Sequence, residues 1–124
     1  MINKLHFIAE LCCNHMGDFC VAQKMIDVLA SQEERVDIVK FQKRTPKLIL
    51  SEEEYNTPHP NPKNSFGETY GKHREFLEFS IQQHAELKSY IESKGLTYSS
   101  SVFDTNAFEE LLTLNPKMIK VGGS

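Results

Sequence analysis

Strand-like apolar runs alternate along this chain with segments of helical period, and that order limits the possible folds more than any other feature. The strand-like runs are HFIAE (6–10), VDIVKFQ (36–42), LTYSSSVF (96–103) and KMIKVGG (117–123). Between the first two, Ala22, Met25, Ile26 and Leu29 fall at i, i+3, i+4, i+7 spacing, which predicts an amphipathic helix over 19–31 capped by Asp18. Ser80 and Gln83 have capping-box spacing and open a helix over 81–94, with Leu87, Tyr90 and Ile91 buried and Gly95 as its stop. Asp104 caps a third helix over 105–114, with Phe108, Leu111 and Leu112 inward, and Asn115-Pro116 ends it. Strands alternating with helices pair in parallel through right-handed crossovers. The expected class is α/β, in the order β-α-β-(long loop)-α-β-α-β. Two architectures accommodate that order: a doubly wound sheet, or the first half of a (β/α)8 barrel, which needs about 250 residues when whole.

The long loop after the second strand, residues 44–72, holds Pro46, Pro58, Pro60 and Pro62. The last three alternate, which argues against helix and against a central strand there. The LIL patch at 48–50 and the rings of Tyr55, Phe66 and Tyr70 offer something to pack, so an ordered lid or arm is expected. His73, Arg74 and Glu75 read as a solvated face ahead of the next helix.

Three of the strand-like runs end on charge. Period-two alternation puts Glu10 on one face with Ile8, Lys40 with Ile38 and Gln42, and Lys120 with Met118. A buried charge is costly unless something satisfies it. An ion pair between Glu10 and Lys40 is one satisfier. One carboxylate cannot neutralise two inward lysines, however, so Lys120 points to an anionic ligand at the carboxyl ends of the strands. Gln42 can both donate to and accept from a sugar hydroxyl. The turn Gly122-Gly123-Ser124 exposes backbone N–H groups of the kind that hold phosphate. Asn14 and His15, in the first βα turn, could orient a substrate or carry a proton; they could equally be a turn asparagine and a packed ring. The serines at 99–101 could supply hydroxyls to a phosphate or fill a tapering interior.

Apolar residues make up 40% of the 124, enough for one domain with a core. The net charge of −3 comes with no basic run, so a nucleic-acid partner is not expected. No segment approaches the roughly 18 apolar residues of a membrane helix, and the N-terminus lacks a signal-peptide core. A cytoplasmic protein is expected. Cys12, Cys13 and Cys20 are too clustered for a disulfide framework. With His15 they make C-C-x-H-x4-C, which lacks the paired C-x2-C unit of structural zinc sites, so no metal site is assigned to them.

IAELCCNHMGD resembles the I-x-E-x-G-x-N-H-x-G turn of the sialic acid synthase family. VDIVKFQKRTP is similar to that family's A-D-x-V-K-F-Q segment, and FGETYGKHREFLEFS to its W/F-G-x-T-Y stretch ending in L-E-F. YSSSVFD resembles its S-T/S-x-F/W-D element, and MIKVGGS its K-I/V-G-S-G. The five matches are collinear over nearly the whole chain. The resemblance implies that residues 1–124 are the N-terminal half of a (β/α)8 barrel domain, with strands ordered 1-2-3-4. The second half-barrel and a C-terminal antifreeze-like domain would lie outside this sequence.

The activity so implied is a C–C bond-forming transfer in a longer, homodimeric enzyme. C3 of phosphoenolpyruvate attacks the aldehyde of an N-acylhexosamine held by a divalent metal (Mn or Mg), whose ligands are not in this chain. Water adds at C2 and phosphate leaves, giving a nonulosonic acid. Carried over by position, Lys40 and Lys120 meet the phosphate and carboxylate, and Glu10 and Gln42 hold sugar hydroxyls. Ser101, Asn64 and Ser65 make weaker contacts, and Tyr70 is expected to approach Lys40 with the loop. The sequence departs from the pattern at Cys12-Cys13, where small residues such as Gly and Val are usual. It departs again at GGS where G-S-G is usual, so that the phosphate-binding serine is either Ser124 or missing. The rival readings are a lysine Schiff-base aldolase on a similar barrel and an inactive fragment.

Overall fold

The computed structural model describes residues 4–31 and 36–123. Four strands, β1 (Ile8–Cys12), β2 (Ile38–Lys43), β3 (Thr97–Val102) and β4 (Met118–Val121), form one sheet in the order β1-β2-β3-β4, with every neighbouring pair parallel. Helix α1 (Phe19–Ser31) crosses from β1 to β2, α5 (Ile81–Ser93) leads into β3, and α6 (Thr105–Leu112) connects β3 to β4. Each predicted helix falls within two residues of its expected bounds. Asp18 accepts from the Val21 N–H, Asp104 from Ala107, and Ser80 and Gln83 close the expected capping box.

Strand order separates the two architectures that the sequence left open. A doubly wound sheet reverses its order and places helices on both faces. Here the order never reverses, and one core joins the helices to one face of the sheet: Leu11, Val39, Phe41, Tyr98 and Val102 pack on Ala22, Ile26, Leu87, Ile91, Ala107 and Leu111. This is the arrangement of consecutive βα units in a (β/α)8 barrel, with the opposite sheet face turned inward. Within α6 the buried residues are Ala107 and Leu111, whereas Phe108 and Leu112 are exposed, contrary to expectation. The apolar stripe is narrower than three leucine-sized positions because only one edge of this short helix meets the sheet.

Residues 44–72, expected as one long loop in the form of an ordered lid or arm, are ordered but helical in large part, and form one segment with residues 73–79. They fold as α2 (Pro46–Ile49), α3 (Glu52–Asn56), a 3-10 turn (Pro62–Asn64) and α4 (Tyr70–Phe76). Pro46 and Pro62 stand at the starts of α2 and the 3-10 turn, where a missing N–H costs nothing, while Pro58 and Pro60 lie in the non-helical stretch between α3 and that turn. Ser51 and Glu54 close a second capping box, and Thr69 caps α4. The short helices hold one another through Tyr55, whose hydroxyl donates to Glu75 at 2.8 Å and whose ring occupies the space that a Cβ on Gly71 would need. His73 is buried rather than solvated: it stacks on Phe66, and its Nδ1 accepts from the Phe66 N–H.

The segment sits at the carboxyl end of the sheet. Thr45 donates through its N–H and hydroxyl to Asp104, just past β3, and Phe76 lies against Gly17 in the β1–α1 turn.

Candidate active site

The strand register builds the inner face in rows. Glu10, Lys40, Ser99 and Met118 make one row across all four strands; Gln42, Ser101 and Lys120 make the next, nearer the carboxyl ends. The expected placement of Glu10, Lys40 and Lys120 on a common face therefore holds, with Lys120 one step further toward the carboxyl end. Lys40 Nζ lies 2.6 Å from Glu10 Oε1; its side chain is 4% exposed and that of Glu10 is 48%. Lys120 is exposed and forms no ion pair with any described residue. The face thus carries one closed ion pair and one open cation.

Ser99 is spent on the fold, since its hydroxyl donates to the Met118 carbonyl. Ser101, between Gln42 and Lys120 in register, is buried and donates to no described residue. Gln42 accepts at Oε1 from Arg44 Nη1 at 2.6 Å, and the Arg44 guanidinium lies 3.9 Å from the centroid of the Phe103 ring. At the sequence level Arg44 stands just beyond Gln42 with no role of its own, and its place past the end of a strand was the available signal. Burial and the nearby Arg74 pull the Arg44 guanidinium below its usual range, with the Glu78 carboxylate opposing them.

Other expected site residues lie apart from this face. His15 is 2% exposed and stacks on Phe79 at 4.1 Å, on the helix-covered side. Its Nδ1 accepts from the Gly17 N–H, and burial lowers its pKa to about 4. It is the packed ring of the two alternatives. Asn14 is exposed in the turn, where its N–H donates to the Leu11 carbonyl. Asn64 is exposed, Ser65 bonds Gly67, and Tyr70 packs against His59 and His73, so the contacts of all three stay within the 44–79 segment. Ser124 lies outside the described residues.

Cys12, at the end of β1, has φ of 52° and interrupts the β1–β2 register, a conformation that favours glycine. The residue that departs from the family pattern thus keeps the backbone shape that the pattern's glycine serves. Among the described residues no three His, Cys, Asp or Glu side chains gather to hold a metal ion, and the Glu10 carboxylate is already engaged by Lys40. The residues described here do not by themselves fit a divalent metal. No helix among them is long and apolar enough to cross a membrane.

The NeuB family model matches residues 25–124. The chain is 39% identical over 115 residues to N-acetylneuraminate-9-phosphate synthase of Homo sapiens, which covers 93% of this chain and 31% of that protein. It is 28% identical over 120 residues to N,N'-diacetyllegionaminic acid synthase of Campylobacter jejuni, covering 97% of this chain and 35% of the relative. It therefore spans about a third of the length of these relatives. In structure it superposes on the N-acetylneuraminic acid synthetase of Leptospira borgpetersenii with a TM-score of 0.72 at 23% identity, covering 96% of this chain and 36% of that one. The spore coat polysaccharide biosynthesis protein spsE of Bacillus subtilis gives a TM-score of 0.61, also at 23% identity, over 93% of this chain and 28% of the other. With strand order, inner-face residues and family match in agreement, the chain belongs to the NeuB family.

Proposed function

We propose that the inner face of this half-barrel is the anion- and sugar-binding wall of a nonulosonic acid synthase, working as part of a longer enzyme. Its substrates would be phosphoenolpyruvate and an N-acylhexosamine. The observation that carries this reading is Lys120, an open cation one register step from a lysine that already has its carboxylate. Phosphoenolpyruvate brings a phosphate and a carboxylate, two anionic groups for two ammonium groups.

In this reading Lys40 and Lys120 offset the charge of phosphoenolpyruvate and hold its C3 against the sugar aldehyde. Glu10, half exposed beside Lys40, accepts from a sugar hydroxyl through the carboxylate oxygen that Lys40 leaves free. The Ser101 hydroxyl lies between the two subsites in register. A divalent metal, where the enzyme uses one, would polarise the aldehyde from ligands elsewhere. In a Schiff-base aldolase the nucleophile would be Lys40, whose nitrogen is engaged by Glu10, or Lys120, which has no carboxylate beside it; borohydride trapping of a covalent adduct would favour that second reading.

The test is steady-state kinetics in the longer synthase. Lys40→Ala should raise KM for phosphoenolpyruvate roughly 10- to 150-fold, the equivalent of about 1.5–3 kcal/mol for a charge-assisted contact, and spare the hexosamine. Gln42→Ala should do the reverse. If Lys40→Ala lowered only thermal stability and left both constants alone, Lys40 would be a structural partner of Glu10 and no more.

A further inference from the structure

We infer that Arg44 is a positioning residue that fixes which end of the Gln42 amide faces the substrate. The inference rests on the reading of Gln42 as a sugar-binding residue. A glutamine amide can ordinarily offer either its oxygen or its NH2 group to a ligand. Gln42 has lost that choice. A guanidinium carries donors only, so the 2.6 Å contact from Arg44 Nη1 must meet the amide oxygen. The NH2 group of the same amide is left for the site, and it has no hydrogen-bond partner among the described residues.

Arg44 is itself held by two further groups. Its guanidinium carbon lies 3.9 Å from the centroid of the Phe103 ring, and its backbone N–H donates to Glu78 Oε2 at 3.0 Å. Phe103 in turn backs onto Gly122, where an added Cβ would stand 2.5 Å from the ring. The carboxyl ends of β2, β3 and β4 are thereby joined in one stack of Arg44, Phe103 and Gly122. The guanidinium also polarises the amide, which strengthens its two N–H donors. The subsite at Gln42 therefore selects a ligand that presents an acceptor oxygen, such as a hydroxyl oxygen or an acyl carbonyl. A group that can only donate is rejected.

A double-mutant cycle tests this. Arg44→Met keeps an aliphatic stem on Phe103 and removes every donor. In the longer synthase it should raise KM for the hexosamine about tenfold and leave that for phosphoenolpyruvate within about twofold. The double variant with Gln42→Ala should be no worse than Gln42→Ala alone, because Arg44 acts through that amide. Additive losses, or a rise in KM for phosphoenolpyruvate, would overturn the inference. A second readout uses the 124-residue chain itself. The side-chain NH2 resonances of Gln42 should shift on Arg44→Met while the melting temperature stays within a few degrees; unmoved resonances would also overturn it. If Gln42→Ala left the hexosamine constant unchanged while Arg44→Met still moved those resonances, the sugar assignment of Gln42 would fail and the coupling would stand.

Discussion

His84 lies fully buried on the helix-covered side of the sheet, its Nδ1 2.7 Å from the Tyr98 hydroxyl and its Nε2 without a partner among the described residues. Desolvation lowers its pKa to about 3, with Lys43 and His15 adding to the effect. The unfolded chain takes up a proton from about pH 6.5 downward while the fold refuses it until near pH 3, so this ring's contribution is present above pH 6.5 and is lost as pH falls. His84→Gln can still bond Tyr98 but cannot titrate. Urea unfolding at pH 7 and pH 5 should show a loss of stability on acidification that is smaller in His84→Gln by about 2 kcal/mol. Equal losses in the two proteins would mean that the ring takes up its proton as readily in the fold as in the unfolded chain. Cys12 offers a second test. At φ of 52° a side chain is strained, and Cys12→Gly should leave stability unchanged or raise it by up to about 1 kcal/mol, whereas glycine inside an ordinary strand lowers it. A clear loss in the same assay would show that the thiol's packing matters more than the strain.

Among the elements, α5 bears directly on the core, since Leu87 and Ile91 pack under β2 and β3. Its capping box is therefore tied to global stability, and Ser80→Ala should cost about 1 kcal/mol by denaturant melting. The box at Ser51 opens a short helix with no buried residue, so Ser51→Ala should speed amide exchange within α3 and barely move the global midpoint. A full-size global loss from Ser51→Ala would mean that α3 is part of the folding core. The two boxes also show what could be read from the sequence. Ser80 preceded an apolar stripe and was legible; Ser51 preceded three glutamates and a run of prolines, with no stripe to mark a helix. Those helices are stabilised by contacts distant in sequence, such as Tyr55 on Gly71 and Thr45 on Asp104, and local periodicity carries no trace of them. The strands were legible for the opposite reason. Period-two alternation is strictly local, so it placed Glu10 with Ile8, Lys40 with Gln42 and Lys120 with Met118 within their own strands, and the strand register then brings the three sets onto one face. His15 was ambiguous because a ring in a turn can point either way, and only the stacking on Phe79 decides it.

The whole molecule is four βα-type strands with a finished core on one side and a polar wall on the other. The core explains stability. Lys120 stands exposed on that wall, without an ion-pair partner among the described residues. Strand register places the two lysines one row apart, so a ligand that bridges them must be short and doubly anionic at its ends. A structure of the proposed longer synthase with phosphoenolpyruvate bound tests that geometry most directly. The predicted result is a ligand on the inner face whose phosphate and carboxylate oxygens lie within about 3 Å of the Nζ atoms of Lys40 and Lys120. Phosphoenolpyruvate bound elsewhere, with Lys120 facing only solvent and Lys40 touching only Glu10, would contradict it.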